Sequence, residues 1–219
     1  MTWTRETEAE IHPPDKPYCS RLPSCSQRLW PKFDDYLRGR KLNHALARAN
    51  NWYPSRTVDG YDRAVVTTTS DQPGNLYWQA RLLGALGSAP PLDLPEGVRR
   101  WESPHGIARG NAVCMVWPDQ KNGRSVVVEG PMDALAAAEL GFLAVGLMGV
   151  TPAIEVLDLT SRLLRGTVCL VVPDQHATKP MAMNLIELGS RGLKCHLITH
   201  PFKDLADAAP AARRRILDA

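Results

Sequence analysis

Ser125–Leu147, with the sequence SVVVEGPMDALAAAELGFLAVGL, decides the fold. Its opening run of valines has no polar interruption, as suits a strand covered on both faces. Glu129-Gly130-Pro131 ends that run. Glycine permits the turn, and proline is favoured in the first turn of a helix because its missing N–H would have no partner there. Asp133 to Leu140 then reads as an alanine-rich helix, Gly141 closes it, and Leu143 to Leu147 is a second apolar strand. Two strands joined through a helix are parallel neighbours in one sheet.

The same alternation continues toward the C-terminus. Pro152 to Leu164 reads as a helix, Thr167 to Val172 as a strand, Ala177 to Arg191 as a helix and Leu193 to Thr199 as a strand. The fold class is therefore α/β, a mostly parallel sheet flanked by helices.

Upstream the texture differs. Ala64 to Thr69 and Leu76 to Leu83 are strand-like runs on either side of the turn-forming Ser70 to Asn75, which predicts a hairpin. Gly84 to Gly110 reads as a long loop or a linker with short strands. Phe33 to Ala49 predicts one helix, apolar at Phe33, Tyr36, Leu37, Leu42, Ala45, Leu46 and Ala49, with a basic surface at Arg38, Arg40, Lys41 and Arg48. Pro13, Pro14, Pro17, Pro23 and Pro31 make the start irregular. The expected division is an N-terminal arm over 1–32, a smaller α+β subdomain over 33–118, the α/β domain over 119–210 and a C-terminal tail over 211–219.

A chain of 219 residues, 44% apolar, can bury a sizeable core. No run approaches the roughly 18 apolar residues of a membrane span, and Arg5, Glu6, Glu8 and Glu10 stand where a signal peptide would be apolar. A cytoplasmic protein with no membrane partner is expected. The cysteines are scattered, which suits a reducing compartment; Cys19 and Cys25 with His12 nearby lack the paired spacing of a zinc site. The net charge of +3 comes from residues 1–50, where nine Lys or Arg face six Asp or Glu, and it hints at nucleic acid.

In a parallel sheet the functional crevice lies beyond the carboxyl ends of the strands. The residues there are acidic: Glu129 after the first strand, Asp174 after the third, Lys203, Asp204 and Asp207 after the fourth. Carboxylates converging on one rim repel one another unless a cation lies between them, and hard oxygen ligands suit Mg²⁺ or Mn²⁺. Each acid taken singly could instead cap the helix that follows; Asp133 in particular begins a helix and reads equally well as an N-terminal charge.

Val127-Val128-Glu129-Gly130-Pro131-Met132-Asp133-Ala134-Leu135, Leu147-Met148-Gly149, Leu170-Val171-Val172-Pro173-Asp174 and Lys203-Asp204 with Asp207 occur in the order and spacing of the TOPRIM domain. Together they resemble that domain of bacterial, phage and plasmid DNA primases, a Rossmann-like fold. The resemblance extends upstream through Tyr77-Trp78-Gln79-Ala80-Arg81-Leu82, Ser103-Pro104-His105-Gly106 and Tyr36-Leu37-Arg38-Gly39-Arg40, a primase-type stretch that topoisomerases and TOPRIM nucleases lack.

The resemblance implies metal-dependent synthesis of short RNA primers on single-stranded DNA from ribonucleoside triphosphates, with Mg²⁺ or Mn²⁺ as cofactor. Glu129 and Asp174 would be catalytic. Glu129, Asp174, His176 and Asp204 would form the metal set, and Arg81, Lys203, Arg38 and Arg40 would bind nucleic acid or nucleotide. His176 stands where the family carries a second aspartate, so a TOPRIM nuclease or a catalytically weak DNA-binding replication module is the alternative. No GxxxxGK[ST] motif is present, so a replicative helicase would come from another protein. Arg48, Arg99 and Arg100 join the candidate basic face, Trp78 is a candidate base-stacking residue, and Arg213-Arg214-Arg215 reads as a solvated helix end.

Overall fold

A computed structural model describes residues 22–56, 60–70, 77–84, 94, 98–104 and 112–218. The first 21 residues of the expected arm over 1–32, with His12 and Cys19, positions 71–75 of the expected Ser70–Asn75 turn and the His105-Gly106 pair lie outside these residues, and the end of the arm is already helical from Trp30.

The expected helix over Phe33–Ala49 is two: α1 (Trp30–Gly39) and α2 (His44–Ala49). In α1, Phe33, Tyr36 and Leu37 share one buried face at helical spacing. After Gly39 the chain leaves the helix through Lys41, whose φ is +57°, and Leu42 N–H donates to Leu37 O at 2.8 Å. Asn43 starts α2, its side chain accepting from Leu46 N–H at 3.0 Å. Apolar periodicity carried across this break because Leu42 and Leu46 are buried on the same core.

Four strands follow as an antiparallel sheet in chain order: β1 (Tyr53–Arg56), β2 (Asp62–Thr67), β3 (Trp78–Leu82) and β4 (Trp101–Glu102). The predicted hairpin is β2–β3, in register from Thr67 opposite Trp78 to Arg63 opposite Leu82. Side chains alternate across a sheet. Trp78 and Ala80 therefore pack with Val65 on one face, while Ala64 and Val66 join the main core on the other, where Gln79 and Arg81 also project. Trp78 is a core residue, 6% exposed, and is not available for stacking.

The second sheet has the order β5-β7-β6-β8-β9, with β5 (Cys114–Val116) antiparallel at one edge and β6 (Arg124–Val128), β7 (Leu143–Gly146), β8 (Val168–Val171) and β9 (Lys194–Leu197) parallel. It thus begins before the expected start at 119. Helix α3 (Pro131–Ala138) lies on one face and is buried along its whole length. Helices α4 (Ile154–Leu163) and α5 (Thr178–Ser190) cover the other face through a core of Val127, Val145, Leu147, Leu159, Leu163, Val171 and Met181. Every element of the predicted alternation is present.

The two sheets share one core, in which Phe33, Leu37, Ala64 and Val66 meet Val126, Val128, Leu135 and Leu170. Thr69 and Val113 exchange backbone hydrogen bonds of 2.8 and 3.0 Å across the junction. Asn50 adds a side-chain clamp, accepting from Trp117 N–H at 2.7 Å and donating to Trp117 O at 3.0 Å. The expected tail is helix α6 (Pro210–Asp218), with Leu217 fully buried in that core. Among the described residues no helix is long and apolar enough to cross a membrane.

Candidate active site

The chain leaves β6 toward β7 on one side and, after α4, returns to β8 on the other before continuing to β9. The carboxyl ends of β6 and β8 therefore flank the point where strand order reverses, the place where open α/β sheets leave a crevice. Glu129 follows β6 and Asp174 follows β8, with Val172 N–H donating to Val127 O at 2.9 Å between them.

A cleft of about 390 Å³ opens here, and its acidic floor is Glu129, Asp133, Asp174 and Asp204. Arg40, Arg81, Arg100 and Lys203 also line it, with Gln79 and Trp101 beside them. The acids thus come from the parallel sheet, whereas the cations come from both sides: Arg81 and Arg100 from the antiparallel sheet, Arg40 from the turn after α1 and Lys203 from the loop after β9. Arg81 reaches the cleft because β3 presents Gln79 and Arg81 on the face turned toward the second sheet. Its guanidinium lies 5.1 Å from the centre of the Trp101 ring, and its Nε–H is buried with no hydrogen-bond partner among the described residues.

The acids perturb one another. Asp174 is pushed up to about 8, first by burial and then by the charges of Asp133, Glu129 and Asp204 and a hydrogen bond with Glu129. Asp133 is pushed up to about 7 by its burial and by Asp204, against the pull of the Ala206 N–H and Arg40. That N–H donates to Asp133 Oδ1 at 2.8 Å and ties the start of α3 to the loop carrying Lys203 and Asp204. Gln175 N–H donates to Lys203 O at 2.9 Å, joining the loops after β8 and β9.

Close backbone packing shapes the rim. A Cβ on Gly146 would lie 2.9 Å from Gly130 O and 3.0 Å from its carbonyl carbon. Beyond β7, Met148 has a φ of +62°, and Gly149 N–H donates to Glu129 O at 3.2 Å.

Of the residues expected from sequence, Glu129, Asp174, Asp204, Arg81, Lys203 and Arg40 come together in this cleft. His176 and Arg38 do not. His176 is exposed in the turn after Asp174, and Arg38 is exposed and paired with Asp35 at 2.5 Å. Arg48 is held by Asp34 and lies 4.2 Å from the centre of the Trp30 ring. Asp133 entered the sequence reading only as an ambiguous helix start; it stands in the first turn of α3, is 6% exposed and lines the cleft. Trp101 had no signal beyond its adjacency to Arg99 and Arg100.

Among the described residues no three His, Cys, Asp or Glu side chains close into a metal cage. The acids are near enough to repel and too open to enclose an ion alone. That donor set fits Mg²⁺ or Mn²⁺, which take one or two carboxylates and fill their remaining positions with water and phosphate oxygens.

No protein-family model matches the sequence, and neither does any curated protein sequence. Solved structures do match. The primase fragment of the bacteriophage T7 primase-helicase is 16% identical, with 91% of this chain and 82% of that one covered and a TM-score of 0.58. The zinc-binding and RNA polymerase domains of the Aquifex aeolicus primase are 13% identical, over 84% of this chain and 55% of that one, with a TM-score of 0.61. The DnaG primase catalytic domain bound to single-stranded DNA is 16% identical, over 89% and 76%, with a TM-score of 0.56. The fold is that of DNA primase catalytic cores, a mostly parallel sheet flanked by helices beside a smaller antiparallel sheet.

Proposed function

We propose that the chain is a DNA primase, joining ribonucleotides into short primers on single-stranded DNA with Mg²⁺ or Mn²⁺. The observation that carries this reading is the opposition, across one cleft, of an acidic floor and a cationic wall at the switch point of the sheet. A polyanionic substrate needs both: cations for its phosphates, and acids for the metal ion that bridges them.

Glu129, Asp174 and Asp204 would hold the ion, with Asp133 supporting them from the first turn of α3. When bound, the ion neutralises charge on the departing pyrophosphate and eases ionisation of the attacking hydroxyl. Glu129 would accept the proton of the 3′ hydroxyl at a carboxylate oxygen while the 3′ oxygen bonds to the α-phosphorus and the bond from the α-phosphorus to the bridging oxygen of the departing pyrophosphate breaks. Arg81 and Lys203 orient the triphosphate; Arg81 lines the cleft and its buried Nε–H, with no partner among the described residues, is a donor that such an acceptor would satisfy. Arg40 and Arg100 extend the cationic wall for the template. His176 and Arg38 have no part in this constellation. A replicative helicase would present the single strand.

The test is incubation with single-stranded DNA, labelled ribonucleoside triphosphates and Mg²⁺ or Mn²⁺. Short labelled RNA supports the reading. Shortened DNA would make the cleft a nuclease site, and binding without either product would make it a DNA-binding module.

A further inference from the structure

Arg213 is the fourth residue of α6 and is fully buried. Its guanidinium donates through Nε to Ala208 O (2.9 Å), through Nη1 to Lys41 O (3.0 Å) and Glu139 Oε2 (3.1 Å), and through Nη2 to Ala206 O (2.7 Å) and Arg40 O (3.3 Å). An arginine carries five N–H donors, and here the contacts use that full capacity.

What these acceptors belong to matters more than their number. Ala206 and Ala208 lie just after Lys203 and Asp204; Arg40 and Lys41 form the turn after α1, from which Arg40 enters the cleft. Glu139 caps the end of α3, whose first turn carries Asp133. Ala206 is held from both sides, since its N–H donates to Asp133 Oδ1 while its carbonyl accepts from Arg213. Asp207 extends the link, pairing with Arg40 at 3.2 Å and donating its N–H to Asp204 at 2.7 Å. Three segments far apart in sequence, each bearing a cleft side chain, therefore meet on one buried cation.

We infer that Arg213 is a positioning residue for ion binding, setting the separation of Asp204, Asp133 and Arg40 from behind the cleft. This rests on the ion site proposed above. A lysine offers a point charge with three donors and cannot reproduce a planar fork reaching five acceptors. Residues that orient metal ligands through hydrogen bonds typically account for about 10- to 100-fold in metal affinity.

The experiment measures Mn²⁺ binding by electron paramagnetic resonance, together with the Mg²⁺ dependence of primer synthesis. The variants are Arg213→Lys and, to avoid stranding a buried carboxylate, the pair Arg213→Met with Glu139→Gln. Amide hydrogen exchange at Ala206 reports on the loop itself. Expected are cooperative melting of at least one variant, faster exchange at Ala206 and an Mn²⁺ dissociation constant raised about tenfold. Half-maximal activity should need correspondingly more Mg²⁺, while kcat at saturating Mg²⁺ stays near that of the parent.

A folded variant that binds Mn²⁺ like the parent overturns the inference, whatever Ala206 does. So do two variants that both fail to melt cooperatively, because Arg213 is then a structural element of the core. A parent that binds Mn²⁺, loses that affinity in Arg213→Lys and never makes RNA sinks the primase reading and leaves the positioning role standing. A parent that binds no Mn²⁺ overturns both.

Discussion

Asp174 and Glu129 stand at the ends of adjacent parallel strands on either side of the switch point of the sheet, both lining the cleft, so the charge of one bears on the other. Burial first, and then the charges of Asp133, Glu129 and Asp204, hold Asp174 up near 8. Together with Asp133, near 7, it makes the folded chain bind more protons than the unfolded chain, whose aspartates titrate at 3.8. The metal-free fold therefore loses stability as pH rises from about 4 to about 8, and these two groups add no slope outside that window. Melting temperatures across it should fall, less steeply in Asp174→Asn. Mn²⁺ affinity should rise over the same interval with proton release, and a variant slope equal to the parent's would contradict the account.

Glu129→Gln and Asp174→Asn each keep shape and remove charge. Primer synthesis should drop by roughly a hundredfold or more in either. Melting of the metal-free Asp174→Asn protein near neutral pH should not fall, because the fold must either protonate Asp174 or bear its charge there, and asparagine needs neither. Primer synthesis retained in both variants would end the assignment of the cleft.

His176→Ala should leave Mn²⁺ affinity within about twofold, against a loss of about tenfold or more in Asp174→Asn. The histidine is exposed in the turn beyond Asp174 and does not line the cleft. Direct titration with Mn²⁺ distinguishes the cases, and a large loss in His176→Ala would restore the imidazole as a ligand.

The α/β half was legible because its strands are apolar on both faces and alternate with helices, so composition alone marks them. Glu129, Asp174 and Asp204 were legible because strand ends are where such sheets place chemistry. Periodicity could not find the break between α1 and α2, since Leu42 and Leu46 bury against the same core as Leu37 on either side of it. Asn43 was the overlooked sign, a capping residue inside an apparently continuous helix. Arg213 differs from Arg214 and Arg215 only in its position on α6, so one basic run conceals a fully buried cation beside two exposed ones.

Gly146→Ala tests the packing behind the acids. The added Cβ would meet the Gly130 carbonyl at 2.9 Å, and that contact is backbone on both sides, so β7 and the turn after β6 must separate. The expected cost is about 1–3 kcal/mol, typical of overpacking a tight contact. Because Gly130 follows Glu129, activity per folded molecule should fall as well. Denaturant melts and single-turnover assays on the same preparation separate the two effects.

Arg63 decides how firmly the cationic wall is mounted. It is 1% exposed on β2, pairs with Glu102 of β4 at 3.0 Å and donates to Arg99 O at 3.0 Å, so it fastens the segment that brings Arg100 and Trp101 to the cleft. Removing one partner of a buried pair leaves the other charge uncompensated, and Arg63→Met should therefore cost about 3–5 kcal/mol in unfolding free energy. The double variant with Glu102→Leu removes both charges and should recover most of that loss. Recovered stability should not restore template binding in full, because the contact to the Arg99 carbonyl is still missing, leaving the short pairing of β4 with β3, the Leu82 N–H to Arg100 O bond and the Arg81–Trp101 contact to place the segment. Denaturant melts paired with fluorescence titration of single-stranded DNA would separate these outcomes, and a double variant that binds DNA as tightly as the parent would show that Arg63 serves stability alone.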